Sequence, residues 1–194
     1  MLSERLQLKL YLEPSAHFEL EALIPVFHRF IREQLIKELM IDVVDYSHVP
    51  AGPGVVLIGH AADFYVGELD GALGLVYSRK RGGPGPESRL EDALRRLVNT
   101  ARLLEQDSTV KLRFKSGELG LRLTDRLHAP NDDATFDSTK AEVEALFGRI
   151  YGGEVAVERV FAAKEPLAVR IQASSSPTLE ALLEKLGGPP ETVS

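Results

Sequence analysis

Two short stretches of the chain bring together residue types that do acid–base or metal chemistry. Asp45, Tyr46 and His48 precede the turn Pro50-Ala51-Gly52-Pro53-Gly54, and His60, Asp63 and Tyr65 follow it. A neutral imidazole serves as a general base near neutral pH, and histidine with carboxylate is also a ligand set for zinc or iron. Register decides between these chemistries. If the turn closes a simple hairpin, Val43 lies opposite His60, Asp45 shares the His60 face as a diagonal neighbour, and His48 lies on the opposite face. That register permits an Asp45–His60 catalytic pair and forbids a two-histidine metal site, so no metal is expected. A slip of one residue would put both histidines on one face. The plainer reading of His60, flanked at period two by Ile58, Ala62 and Phe64, is a core histidine bonded to backbone.

The second candidate is the run Arg79-Lys80-Arg81, which passes through Gly82-Gly83-Pro84-Gly85-Pro86 to Ser88. Ser88, with Glu91 three residues on, reads as a capping box. The N–H groups at a helix start carry about half a positive charge, so Arg79, Lys80, Arg81 and Ser88 could hold a phosphate or carboxylate. His48 and His60 would line the same cleft. The phosphate-loop pattern is absent, and the two prolines remove donors that such a cradle needs. A solvated connection is the plainer alternative.

Other polar groups carry weaker signals. Asn131-Asp132-Asp133 with Asp137 lacks the spacing of a calcium loop, and capping explains it. Ser174-Ser175-Ser176 lacks the Gly-x-Ser-x-Gly setting of a serine nucleophile. His17, His28 and His128 are isolated. No motif names a cofactor.

These residues must be held by a scaffold that the hydrophobic pattern describes. Leu6, Leu8, Leu10 and Leu12 alternate with polar residues as a half-buried strand. A helix becomes regular near Ile24, because Pro25 suits only a first turn, and Val26, Phe27, Phe30, Ile31, Leu35 and Leu39 form its stripe. Ile41–Val49 and Val55–Glu68 read as extended, with Val55–Ile58 in a central strand covered on both faces. Asp70-Gly71 turns the chain into Ala72–Arg79. The helix from Ser88 to about Glu105 buries Leu90, Leu94, Leu97 and Ala101 and exposes Arg95, Arg96 and Arg102. Thr109–Lys115 and Glu118–Thr124 read as a hairpin across Ser116-Gly117. Arg126–Phe136 reads as a polar loop before a helix capped by Thr139 and Glu142. Val155–Phe161 and Leu167–Ala173 are strands, and a last helix starts with Ser176 as cap and Pro177 in its first turn.

The order β-α-β-β-β-α-β-β-α-β-β-α predicts an α+β fold. Seven to eight mostly antiparallel strands form a sheet with four helices packed on it. Residues 1–187 form one domain and 188–194 a frayed tail. The stretch Asp70–Leu75 resembles Ser116–Leu121, which fits either an internal duplication or convergence of hairpin turns.

Composition narrows the function. The chain has 194 residues, 44% of them hydrophobic and 27% charged, as in ordinary globular domains. Its net charge of −6 argues against broad nucleic-acid binding, which needs cationic surface. No apolar run reaches the ~20 residues that cross a bilayer, so no membrane partner is expected. The absence of cysteine removes disulfides and thiolate sites and suits a cytoplasmic protein. The leading expectation is therefore a soluble domain binding a small anionic, phosphate- or carboxylate-bearing ligand. The alternatives are an assembly protein forming a homo-oligomer or partner complex, and a hydrolase-type enzyme using Asp45 and His60.

Overall fold

In a computed structural model, the chain is described over residues 4–14, 19–50, 52–68, 71–82, 89–160 and 165–190. Among the described residues the fold is α+β, with eight strands and four α-helices. In chain order these are β1 (Leu6–Leu12), a short 3-10 turn (Leu20–Ala22), α1 (Leu23–Arg32), β2 (Met40–Tyr46) and β3 (Gly54–Gly59). They continue with β4 (Ala62–Glu68), β5 (Leu73–Arg79), α2 (Arg89–Gln106), β6 (Phe114–Leu123) and α3 (Asp133–Tyr151), ending with β7 (Val155–Arg159), β8 (Ala168–Ala173) and α4 (Leu179–Lys185). One sheet contains every strand in the order β2-β3-β4-β5-β1-β6-β8-β7, and every pairing is antiparallel.

The helices lie on one face of this sheet. Leu6, Leu8 and Leu10 of β1, Leu57 of β3, Phe64 of β4, Leu75 of β5, Leu119 and Leu121 of β6 and Ile171 of β8 belong to the same buried cluster. Phe27 of α1, Leu94 of α2, Phe147 of α3 and Leu182 of α4 complete it. The alternation of leucines in β1 is therefore the signature of this face, and burying it removes the apolar area that drives folding. The second face carries a smaller cluster of Val56, Tyr65 and Val76, with Ile58 against it. Two glycines shape that face. A Cβ on Gly74 would sit 2.6 Å from Lys9 Cε, and one on Gly120 would sit 3.2 Å from the Tyr11 hydroxyl. Their absence lets Lys9 and Tyr11 lie flat, each only 2% exposed.

Several expected elements differ in the structure. The extended run Val55–Glu68 breaks into β3 and β4 at Gly59-His60-Ala61. A Cβ on Gly59 would approach Ala62 O to 2.3 Å and Met40 Cε to 2.7 Å. Gly59→Ala should therefore cost roughly 1–3 kcal/mol in chemical denaturation, because a backbone carbonyl cannot move aside cheaply. An unchanged midpoint would place this turn wrongly.

The expected hairpin across Ser116-Gly117 is instead the single strand β6. Gly117 serves close approach there: its Cβ would meet Ser176 Oγ at 2.6 Å and Ser175 O at 2.8 Å. Gly71 and Gly117 thus have different settings, since Gly71, at φ 79°, precedes β5 and Gly117 lies inside β6, while Asp70 lies outside the described residues. The strand β3 is next to the edge, and among the described residues no helix covers its second face. α3 begins at Asp133, six residues before the expected cap, because the Asp132 side chain accepts from Thr135 N–H at 2.8 Å. Thr178, not Ser176, caps α4. In the expected tail, Gly188 N–H bonds Leu183 O at 2.7 Å and Pro190 is buried, while 191–194 lie outside the described residues.

Candidate functional site

The observed register separates the expected catalytic pair. Val43 pairs with Leu57 and Asp45 with Val55, so His60 lies five residues beyond the partner of Asp45. At 3.2–3.4 Å per residue this is roughly 16 Å along the strand. Asp45 is exposed, and its carboxylate accepts from Ser47 N–H at 2.8 Å. The Ser47 hydrogen bonds, with a contribution from His48, hold its carboxyl below the usual carboxylate range. His48 is exposed in the turn after β2, at the Asp45 end of the hairpin. His60 is exposed rather than buried, and its backbone N–H bonds Leu39 O at 2.8 Å. An Asp–His contact exists elsewhere: His128 Nδ1 lies 2.9 Å from Asp125 Oδ2, exposed and three residues apart, in an Asp-anchored turn. Among the described residues no group of three His, Cys, Asp or Glu could hold a metal ion.

The basic run is divided between interior and surface. Arg79 is 3% exposed and forms an ion pair with Asp92. Its guanidinium also donates to the Tyr77 hydroxyl at 3.2 Å and to Arg89 O at 3.2 Å. Lys80 donates to Asp63 at 2.7 Å and to Gly59 O at 2.8 Å, which ties β5 to the β3–β4 turn. Arg81 is exposed, and Ser88 lies outside the described residues.

Arg79 instead leads to a buried polar cluster. The Tyr77 hydroxyl donates to Glu38 Oε1 at 3.3 Å, Arg96 Nη1 lies 3.4 Å from the same oxygen, and Arg96 Nε donates to Asp92 at 2.9 Å. Two carboxyls and two guanidiniums thus face one another between β5, α2 and the segment after α1. The Glu38 side chain is 5% exposed, and its Oε2 has no hydrogen-bond partner among the described residues. Burial pushes the Glu38 carboxyl above the usual range, outweighing the opposing pull of Arg96, Tyr77 and Arg79. Burial and the adjacent Glu38 carboxylate likewise push the Tyr77 phenol up.

Glu38 owes this position to the way α1 ends. Gln34 N–H bonds Ile31 O at 3.2 Å, Leu35 N–H bonds Phe30 O at 3.1 Å, and Gln34 adopts φ 50°. This is the Schellman arrangement, usually built on glycine, made here by a glutamine in the left-handed region. A non-glycine residue there stores strain of order 1–3 kcal/mol, which surrounding packing must offset. The reversal puts Ile36 into the core and Glu38 under α2.

The same segment closes a pocket of about 390 Å³ lined by Phe30, Ile31, Gln34, Ile36, Lys37, Glu38, Leu39 and Met40. That volume falls within the usual range for small-molecule sites, and the lining is mostly apolar with a few polar groups. A hollow of about 460 Å³ between β6, β8 and the start of α4 is lined by Glu13, Glu105, Glu118 and Glu180. There Glu118 pairs with Lys115 and Arg170, and Glu105 accepts from Phe114 N–H.

Sequence reasoning missed Glu38, because the α1 stripe was read through to Leu39 and no glycine marked the reversal. The i,i+4 pair Asp92–Arg96 was the available signal, since it borders the apolar stripe of α2. Comparison with known protein families, curated proteins and solved structures finds no match.

Proposed function

We propose that this chain is a binding domain for a small, largely apolar carboxylic acid, taken up in the pocket after α1. The reading rests on one observation: a buried carboxyl, Glu38, with an oxygen left unpartnered, lines a mostly apolar pocket. A buried polar atom without a partner costs free energy that a ligand group can recover. With its proton on, Glu38 donates to the ligand carboxylate, and the excess charge of Arg79 and Arg96 over Asp92 favours an anion. Lys37 at the mouth adds a cation, and Phe30, Ile31 and Leu39 meet the apolar body. No reaction is assigned to the site.

The sign of the pH dependence follows from proton sharing. Two carboxylates held together repel unless one is protonated, so the ligand raises the Glu38 affinity for its proton further. Binding should weaken as pH rises through the Glu38 titration. Stability of the free protein carries the same sign from this group. A carboxyl raised in the folded state binds more protons folded than unfolded between its ordinary and its shifted value, so stability falls with rising pH across that window.

Thermal shift and calorimetry with octanoate, octanol and octylamine at acidic and mildly alkaline pH test this. Octanoate should give saturable stabilisation that is stronger at acidic pH. Glu38→Gln, whose amide still donates, should keep binding and lose the Glu38 share of both pH dependences. Preference for octylamine, or indifference to all three compounds, would overturn the reading.

A further inference from the structure

The two edges of the sheet are unlike each other. At one edge, β7 has five residues and carries Glu158 and Arg159, and Arg159 is tied to Asp132 O and Asp133. Short, charged edges discourage pairing with another chain. The opposite edge, β2, has seven residues. Of the large hydrophobic residues exposed in the described chain, Leu39 (69%), Ile41 (58%), Val49 (40%) and Tyr46 (38%) fall in or beside it.

Charge on β2 has one sign. Asp42 and Asp45 are exposed, and no Lys or Arg lies between Met40 and Tyr46. They stand on opposite faces of the sheet, because Asp42 pairs with Ile58 on the second face and Asp45 with Val55 on the helix face. The Val43 N–H bonds the Asp42 carboxylate at 2.8 Å, so it is a donor that an added strand could take over.

We propose that β2 accepts an extended, lysine- or arginine-bearing segment of a partner protein as a ninth strand. Backbone pairing supplies the affinity of such strand addition, and the side chains set its specificity. An alternating strand puts its basic side chains on one face, where they meet one of the two aspartates, and its apolar side chains on the other. A second copy of this chain is disfavoured, because pairing β2 with itself gathers both aspartates of each copy at one seam.

The test uses a fluorescently labelled eight-residue peptide alternating valine with lysine, and its valine–glutamate counterpart. Anisotropy should detect binding of the first alone, weakening with added salt. Amide shift changes should centre on residues 40–46. Asp42→Lys with Asp45→Lys should weaken binding about tenfold or more. Val43→Pro should remove it, with the fold verified by circular dichroism. If that variant does not fold, the double aspartate variant decides alone. Glu38→Gln should leave the peptide bound, which separates this edge from the neighbouring pocket. Absent binding, equal binding of both peptides, or binding indifferent to the edge variants would overturn the proposal. So would a dimer, seen on dilution, that the same edge variants dissociate.

Discussion

Replacing Arg79 by alanine should destabilise the protein by about 3–5 kcal/mol, the range found when one partner of a buried ion pair is removed. The cause is what it leaves behind. Arg79 is 3% exposed, and its removal strips a counter-charge from Asp92 and two donors from the Tyr77 hydroxyl. Tyr77 in turn bonds Glu38, so the loss reaches the pocket. Arg81→Ala, two residues along and exposed, should change stability by less than about 0.5 kcal/mol. Urea denaturation of both variants measures the difference. Equal, small effects would return Arg79 to the surface and dissolve the buried cluster.

The second large effect concerns α2. Leu94 is fully buried, and Leu94→Ala should cost about 2–5 kcal/mol. Arg95, only half-buried and 3.9 Å from Glu91, should be nearly neutral on truncation to alanine. Arg96 is 8% exposed and faces both Asp92 and Glu38, so Arg96→Ala should lie far closer to Leu94→Ala than to Arg95→Ala. Similar behaviour of Arg95 and Arg96 would contradict the helix phase described here.

The α+β class and the antiparallel sheet were legible because they rest on periodicity. Leu6 to Leu12 alternates at period two, and the apolar residues of α2 recur at helical spacing; burial of one face enforces both patterns. The number of strands was reached through two errors that compensate. Gly59-His60-Ala61 carries no turn signature, yet β3 ends there, where the missing Cβ of Gly59 leaves room for Met40 and the Ala62 carbonyl. Ser116-Gly117 carries a turn signature, yet the chain runs straight because the glycine admits the segment before α4. Close approach by distant residues is invisible in a local window.

The site was less legible for the same reason. The register of β2 against β3 depends on where the Pro50–Gly54 turn closes. That difference alone moved His60 away from Asp45 and left His48 in the turn. Arg79 resembled Lys80 and Arg81, because nothing local says that Asp92 waits on α2 at the height of Tyr77. Glu38 was hidden by a helix end built on Gln34, a residue type that seldom takes the left-handed conformation.

The most direct test of the Glu38 site is the titration of its side-chain carboxyl, followed by carbon NMR with Glu38→Gln as the assignment control. In the free protein this carboxyl should titrate above the ordinary 4.5 of a glutamate, and saturating octanoate should move it higher still. Titration at or below that value, or a downward shift with octanoate, would contradict a proton shared between Glu38 and an acidic ligand.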